Sequence, residues 1–312
     1  MLSFRRGMKI AEMTNPTHFV RFFDDNMDED PDIVYDGSVD EVIPRESVIA
    51  YIRVKHLHKQ HFLKLFHSNV TYETLQGARN QSETLHHLFL FVRNYFQKNI
   101  RIPLRDDSQI FPLFYDRGDQ FNHHLCAFGN TGSGKSTAVA YMLQKDEKRR
   151  PIVVFTRHVE DKSLRPISEL RRTRMVDVTD EKAANETLES LEGCNVVMDD
   201  IEQIMNQKMR EHLIEFRKNI IENGRHFGIQ GFFTCHNPFK RQITLPLVNG
   251  CRRFILFPKQ NKHMTDLLLE QKFHLPLHKR TEILDMGKHS HWILYNNFHP
   301  CYVLSRKHIM LV

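Results

Sequence analysis

The chain contains 312 residues, of which 40% are hydrophobic and 26% are charged, and its formal net charge is +6. This is the composition of an ordinary globular protein, with room for one large α/β domain behind an N-terminal extension of about 100 residues. No apolar run approaches the roughly 20 residues that span a bilayer, and the first residues lack a long apolar stretch, so we expect neither a membrane-spanning nor a secreted protein. The five cysteines are widely spaced and form no CxxC pair, which favours buried thiols in a reducing compartment.

The charge is distributed very unevenly along the chain. Between Asp24 and Glu46 there are ten carboxylates and a single arginine, so this stretch carries −9 and the remainder of the chain carries +15. A body this basic attracts polyanions such as nucleic acids and releases their counterions on binding. A soluble protein with a merely basic surface would have the same charge, so charge alone does not decide between the two interpretations.

Three regions follow one another along the chain. Residues 1–46 are polar and acidic without clear periodicity, which predicts a flexible arm. Apolar residues between Leu75 and Phe96 recur at three- and four-residue spacings, which predicts a helical region over 47–110. From 111 to 312 short apolar runs alternate with amphipathic stretches, the pattern of a mainly parallel α/β sheet.

Six strands, five helices and a closing hairpin are predicted in this last region. The strands are expected at 125–128, 152–155, 175–178, 196–198, 229–234 and 254–257. The helices are expected at 135–144, 181–191, 207–222, 264–271 and 278–286. Two further alternating runs, 292–295 and 302–304, predict a C-terminal hairpin.

The most specific motif in the chain is a glycine-rich loop, which reads Gly129-Asn130-Thr131-Gly132-Ser133-Gly134-Lys135-Ser136 and is followed by Thr137. It matches G-x-x-x-x-G-K-[ST] and lies between an apolar strand and a helix-compatible run, the context that a phosphate-binding loop requires. Glycines let successive backbone N–H groups converge on phosphates, and the helix N-terminus adds positive potential. Lys135 would reach the β- and γ-phosphates of ATP, and the Ser136 hydroxyl would ligate Mg²⁺.

A second motif is an apolar run that ends in two carboxylates, Asn195-Val196-Val197-Met198-Asp199-Asp200. This is a Walker B pattern, in which Asp199 would hold the Mg²⁺ shell and Asp200 would polarise the attacking water as a general base. The pattern is weak alone and strong when it follows a phosphate-binding loop. Adjacent carboxylates favour hydrolysis over phosphoryl transfer to a substrate, and Asn261-Lys262-His263-Met264 lacks the aspartate of a guanine reader.

A third segment, from Gly224 to Pro238, reads GRHFGIQGFFTCHNP. Its arginine precedes a Gly-Ile strand that ends in a polar residue and a proline. In this it resembles the FtsK/HerA superfamily of DNA-pumping ATPases, and the Gly-Arg-His opening is similar to the poxvirus-type genome-packaging ATPases of large DNA viruses, virophages and related elements. The resemblance extends over roughly residues 112 to 271 and includes both motifs described above.

The resemblance implies a RecA-like (ASCE) P-loop core in which this third strand, the sensor strand, lies between the strands of the first two motifs. It implies an ATP hydrolase that uses ATP and Mg²⁺ and works as a homo-oligomeric ring, a hexamer, with ATP between subunits. Arg225 would be the arginine finger, with Arg252 or Arg253 as alternatives. The sensor residue, usually glutamine in this superfamily, is His236 here, and the neighbouring Asn237 is equally able to contact the γ-phosphate.

The resemblance also implies partners. Lys240 and Arg241 follow the sensor strand and are candidates for contacts with DNA phosphates that do not read sequence, although an ordinary solvated basic turn would look the same. The implied function is ATP-driven packaging of double-stranded DNA into viral capsids, with capsid proteins as further partners, in the host cytoplasm or the virion. The alternatives are a soluble plasmid- or conjugation-type DNA translocase of the same superfamily and a nucleotide-dependent assembly scaffold.

Overall fold

The computed structural model describes residues 123–144, 150–288, 290–298, 301–306 and 308–312, together with the short segments 2–3, 8–13, 18–22, 42–43, 70–71 and 110–112. The helical region predicted for 47–110 lies outside the described residues, apart from 70–71 and residue 110. Most of the predicted acidic arm lies outside them as well. Among the described residues, no helix combines the length and the apolar character that crossing a membrane requires.

Six short strands precede the main domain. They are β1 (Leu2–Ser3), β2 (Met8–Met13), β3 (His18–Phe22), β4 (Val42–Ile43), β5 (Val70–Thr71) and β6 (Ile110–Pro112). Four of them pair antiparallel in the order β1-β3-β2-β6, and β4 pairs with β5. Strands β1 to β4 lie within residues 1–46, for which the sequence predicts a flexible arm. The acidic run that dominates the composition of this region begins only at Asp24, after β3, and Ala11 in β2 is fully buried.

The main sheet has nine strands. They are β7 (Leu125–Phe128), β8 (Ile152–Thr156), β9 (Thr173–Asp177), β10 (Asn195–Met198), β11 (Gln230–Cys235), β12 (Arg253–Leu256), β13 (Ile293–Asn296), β14 (Tyr302–Ser305) and β15 (Ile309–Leu311). Their order is β15-β14-β13-β12-β7-β11-β10-β8-β9. The strands from β12 to β9 in this order are mutually parallel, and β13, β14 and β15 add antiparallel to one side. The predicted α/β class and the position of the sensor strand β11 between β7 and β10 are confirmed.

Helices cover both faces of this sheet. They are α1 (Lys135–Gln144), α2 (Arg165–Ser168), α3 (Gln207–Asn223), α4 (Arg241–Gly250), α5 (Lys262–Gln271) and α6 (Leu277–Lys288). Successive side chains of a strand point to opposite faces, so Cys126 and Phe128 pack with α3 to α6 while Leu125 and Ala127 pack with α1 and α2. Burial on both faces is why the parallel strands are uninterrupted apolar runs rather than alternating ones.

One predicted helix of the main domain differs from the observed structure, and one observed helix was not expected. The helix expected at 181–191 is replaced by two short 3₁₀ turns, Glu181–Asn185 and Glu189–Leu191. Asn185 and Thr187 at its centre are poor helix formers, and the Asp180 side chain accepts a hydrogen bond from the Lys182 amide, which fixes a turn there. Helix α4 was not predicted, because Pro246 lies within it and a proline usually ends a helix.

Candidate nucleotide site

The glycine-rich loop, residues 129–136, connects β7 to α1 at the carboxyl end of the parallel strands. Its ends are held by backbone hydrogen bonds: the Gly129 amide donates to the Cys235 carbonyl at 3.1 Å, and the Ala138 amide donates to the Gly134 carbonyl at 2.8 Å. A Cβ at Gly129 would lie 2.5 Å from Ser133 Oγ, and Gly134 has a φ of +89°, a conformation that glycine adopts without strain. The sequence of the loop therefore specifies its shape.

Lys135 is the cation of this loop. Its side chain is only 4% exposed, although the preceding loop residues Asn130 to Gly132 are exposed. Lys135 Nζ donates to the Asn130 carbonyl at 3.2 Å and lies 3.8 Å from Asp200 Oδ1. An ammonium group has three donors, and within the described residues these are its two recorded partners. A phosphate oxygen entering from the exposed side of the loop fits the third.

Ser136 and Asp199 form the closest polar contact of the site. Ser136 Oγ donates to Asp199 Oδ1 at 2.6 Å. Burial raises the pKa of the Asp199 carboxyl above its ordinary value; the hydrogen bond from Ser136 opposes this, and the charge of Asp200 adds to it. Mg²⁺ prefers one or two carboxylates completed by phosphate oxygens and water. Burial disfavours the charged form of the Asp199 carboxylate, and a cation bound to it would offset this cost. Together with the Ser136 hydroxyl, this carboxylate therefore forms a donor set that suits Mg²⁺.

Asp200 has a left-handed backbone, with φ of 47° and ψ of 34°, a region that aspartate enters more readily than most residues. The turn is held from the next strand by Thr234, whose Oγ1 accepts a hydrogen bond from the Asp200 amide at 2.9 Å. The same oxygen lies 2.9 Å from Asp199 Oδ1 and 3.1 Å from Asp200 Oδ1. Thr234 therefore fixes both carboxylates, and its single proton is donated to one of them at a time.

His236 and Asn237 were equal candidates for the sensor, and the structure places them differently. His236 Nε2 lies 3.0 Å from Asp200 Oδ2. Asn237 is exposed, and its Oδ1 accepts a hydrogen bond from the Phe239 amide at 2.8 Å, which shapes the turn after β11. The structure therefore brings His236, and not Asn237, to the acidic pair Asp199 and Asp200.

Two further side chains, which no sequence motif indicates, contact backbone carbonyls of the glycine-rich loop. His291 Nε2 lies 3.1 Å from the Ser133 carbonyl, and since a carbonyl only accepts, this nitrogen carries a proton. Gln260 Nε2 lies 3.4 Å from the Gly132 carbonyl. His291 reaches the loop because β13 runs antiparallel to β12, so that the start of β13, just after His291, lies beside the carboxyl end of β12. An isolated histidine gives no sequence signal for such a contact.

The three candidate arginines lie at the opposite end of the sheet. Arg225 precedes β11 on the 3₁₀ turn Gly224–Phe227 and is exposed. Arg252 precedes β12, is also exposed, and lies 5.9 Å from the centre of the Phe298 ring. Arg253 is 6% exposed, which leaves its guanidinium inside the domain and out of reach of a neighbouring molecule in this conformation. Because β11 and β12 run parallel to β7, none of the three approaches the glycine-rich loop of its own chain.

The candidate DNA contacts lie at the same end of the sheet as the acidic pair. Lys240 is exposed and immediately precedes α4, and Arg241 is the first residue of α4. The Thr244 hydroxyl of α4 lies 2.9 Å from both the Pro238 and the Lys240 carbonyls. The basic turn, which we define as residues 238–241, is therefore fixed to α4 and begins two residues after His236.

Comparison with known proteins finds similarity over the part of the chain that carries the glycine-rich loop and the acidic pair. Residues 104–226 match the model of the central domain of the helicase HerA. An uncharacterised protein of the Sputnik virophage, V3, is 24% identical over 180 residues, which are 56% of this chain and 71% of the virophage protein. The segment that matches the HerA model, residues 104–226, includes the glycine-rich loop, the acidic pair and Arg225.

Two solved structures are similar to this chain at low sequence identity. One is B204, the DNA-packaging ATPase of Sulfolobus turreted icosahedral virus, with 13% identity, a TM-score of 0.40, and coverage of 60% of this chain and 98% of B204. Another is the cytoplasmic domain of the type VII secretion ATPase EccC of Thermomonospora curvata, with 14% identity, a TM-score of 0.41, and coverage of 68% of this chain and 29% of EccC. The similarity over residues 104–226 is to a HerA/FtsK-type central domain.

Proposed function

We propose that the chain is an ATP hydrolase that drives double-stranded DNA into a viral capsid, as a homo-oligomeric ring that also contacts capsid proteins. The observation that carries the proposal is the convergence of Lys135, Ser136, Asp199, Asp200 and His236 at one end of the sheet, in and beside a HerA/FtsK-type central domain. The virophage relative supports a viral setting.

Each residue has a role in the proposed hydrolysis. Backbone amides of the glycine-rich loop and Lys135 would hold the β- and γ-phosphates. Ser136 and Asp199 would hold Mg²⁺, which would neutralise charge on these phosphates. Asp200 accepts the proton of the attacking water. His236, hydrogen-bonded to Asp200, orients that carboxylate and is placed to sense the γ-phosphate.

DNA contact is assigned to the basic turn at Lys240 and Arg241. Supporting this are the exposure of Lys240, the position of the turn two residues after His236, and the net +15 outside the acidic stretch. Contacts to phosphates position a duplex without reading its sequence, which suits a motor that has to move along a whole genome.

The test is ATP turnover with and without double-stranded DNA. We expect DNA to stimulate turnover, and we expect the double substitution Lys240→Ala and Arg241→Ala to reduce this stimulation. Loss of two phosphate contacts should flatten the plot of log affinity against log salt by about 2. Lys208→Ala, an exposed lysine on α3, is the matched control and should behave as the parent.

Three outcomes separate the proposal from its alternatives. DNA-indifferent turnover would favour the assembly scaffold. A loss of affinity restricted to certain DNA sequences would contradict phosphate contacts. Stimulation by DNA without any uptake of DNA into procapsids of the same virus would favour a translocase outside packaging.

A further inference from the structure

A buried ion pair lies beneath the acidic pair. Glu202 belongs to the 3₁₀ turn Ile201–Gln203 that directly follows Asp200, and Arg217 belongs to α3. Arg217 Nη1 donates to Glu202 Oε1 at 2.7 Å, and the two side chains are only 2% and 6% exposed. Taking two charges out of water costs several kcal/mol per ion before their mutual attraction is counted, so a buried pair is weak evidence for stability and invites a search for another role.

The second arm of the arginine reaches another element. Arg217 Nη2 donates to the Ile243 carbonyl at 2.9 Å, and Ile243 lies in the first turn of α4. The planar guanidinium therefore holds the turn after Asp200 with one nitrogen and the start of α4 with the other. A lysine ammonium lacks this rigid two-armed geometry.

The second oxygen of the glutamate reaches the sensor strand. The Cys235 thiol donates to Glu202 Oε2 at 3.1 Å. Cys235 is the last residue of β11, its carbonyl accepts the Gly129 amide, and its neighbour His236 contacts Asp200. The coupling network, which we define as Glu202, Arg217, Cys235 and Ile243, therefore links the glycine-rich loop and the acidic pair to α4.

The basic turn depends on α4 for its position. Thr244 lies next to Ile243 and contacts the carbonyls of Pro238 and Lys240 at 2.9 Å. These contacts form a continuous path from the turn after Asp200 to α4 through Arg217, and from α4 to Lys240 through Thr244.

We infer that Glu202 and Arg217 are positioning residues that transmit the nucleotide state of the site to α4 and the basic turn. The inference rests on the proposed function, because it needs a bound nucleotide at the glycine-rich loop. The pair acts through other residues and does not itself touch nucleotide.

A dye on α4 tests the transmission directly. Leu245 is 44% exposed, so Leu245→Cys offers an accessible thiol. Cys301 is changed to serine, and the remaining cysteines, Cys126, Cys194, Cys235 and Cys251, are buried, which keeps them unreactive. We expect the emission of the dye to differ between the Mg²⁺ complexes of a non-hydrolysable ATP analogue, AMPPCP, and ADP.

The informative variant is Arg217→Lys, which keeps the buried charge and loses the two-armed contact. We expect it to abolish the emission difference and to lower the ratio of DNA-stimulated to DNA-free turnover by roughly tenfold. The double variant Glu202→Leu and Arg217→Met removes both charges, leaves no buried ion unpaired, and should fold. It should show the same uncoupling, which keeps the test decisive if Arg217→Lys unfolds.

The matched control is Arg280→Lys. Arg280 is also a buried arginine that bridges two elements, since it joins α6 to Asp266 and Glu270 of α5, and it should keep the emission difference and the turnover ratio. A parent protein that binds AMPPCP without any emission difference would overturn this inference alone. A parent that does not bind AMPPCP would overturn the proposed function as well. If Arg217→Lys keeps both the emission difference and the turnover ratio of the parent, Glu202 and Arg217 do not transmit the nucleotide state.

Discussion

His236 Nε2 lies 3.0 Å from Asp200 Oδ2, although 36 residues separate the two along the chain. The other oxygen of this carboxylate lies 3.1 Å from Thr234 Oγ1 and 3.8 Å from Lys135 Nζ. Both carboxylate oxygens are thus held by side chains from other elements. A carboxylate oriented in this way, beside the loop that would hold the γ-phosphate, is suited to accept a proton from water.

Asp200→Asn should bind ATP and fail to hydrolyse it. Asparagine tolerates the left-handed backbone of this position about as well as aspartate, so the turn is kept while the base is lost. We expect kcat to fall about 10²- to 10⁴-fold, with ATP affinity equal to that of the parent or higher. Lys135→Ala is the contrasting variant, and it should lose nucleotide binding itself. Turnover by Asp200→Asn at the parental rate would show that another group is the base.

His236→Ala should lower kcat because Asp200 loses the donor that orients it. One hydrogen bond to a charged group is worth about 1.5–3 kcal/mol, which corresponds to roughly a 10- to 100-fold lower rate. His236→Gln should recover much of this, since its amide can donate to the carboxylate. Asn237→Ala is the neighbouring control, and a larger loss of kcat there than at His236 would reverse the assignment.

We expect His124 to make the stability of the fold depend on pH. It is 4% exposed, and its Nδ1 accepts the Gly231 amide at 2.8 Å. Burial, with a further contribution from His123, lowers the pKa of His124 to about 4 from 6.5. The unfolded chain therefore binds the proton first as pH falls, and stability is lost between pH 6.5 and 4, by about 3 kcal/mol for this residue if the full shift is realised.

Urea unfolding between pH 7.5 and 4.5 measures this dependence. His124→Asn, whose Oδ1 can accept the Gly231 amide in place of Nδ1, should flatten the decline in unfolding free energy. His278→Asn, at an exposed position of α6, should leave the decline unchanged. If the unfolding free energy declines equally steeply with falling pH in the parent and in His124→Asn, the pH dependence comes from other groups.

The sequence predicts those parts of the site that are local in the chain. The glycine-rich loop is one contiguous segment, and the acidic pair ends a single strand, so residue order alone identifies both. Thr234 and the coupling network were not predicted, because their contacts depend on the register between β10 and β11 and on the packing of α3 against α4. A threonine inside an apolar strand and a charged residue on an amphipathic helix carry no signal of their buried partners.

The same reasoning explains the errors in the fold. Strands buried on both faces are short apolar runs, and each of the six parallel strands was predicted within about two residues of its observed bounds. Helix α4 was missed because local propensity at Pro246 argues against it, whereas packing against α3 and the hydrogen bond from Arg217 to Ile243 stabilise it. β15 was missed because its pairing with β14 is specified only by the sheet edge that β14 offers.

The position of Arg225 requires that any catalytic role be in trans. The strand β11 lies between Arg225 and the carboxyl end of the sheet. At about 3.3 Å per residue, the five residue steps of this strand span roughly 16 Å. Arg225 is exposed at the end of the sheet opposite the glycine-rich loop. In a ring, this end of one subunit would face the glycine-rich loop of the next, where a guanidinium stabilises the charge that develops on the γ-phosphoryl oxygens.

Arg225→Ala should therefore bind ATP as the parent does and hydrolyse it about 10³- to 10⁵-fold more slowly. Mixing it with Lys135→Ala should restore part of the activity, because some interfaces then pair an intact glycine-rich loop with an intact Arg225. Neither variant alone has such an interface. Arg252→Ala, an exposed arginine at the same end of the sheet, is the matched comparison and should hydrolyse ATP close to the parental rate. If the mixture stays inactive while subunit exchange is verified, Arg225 does not act in trans, and a slow Arg252→Ala would move the role to Arg252, since Arg253 is buried.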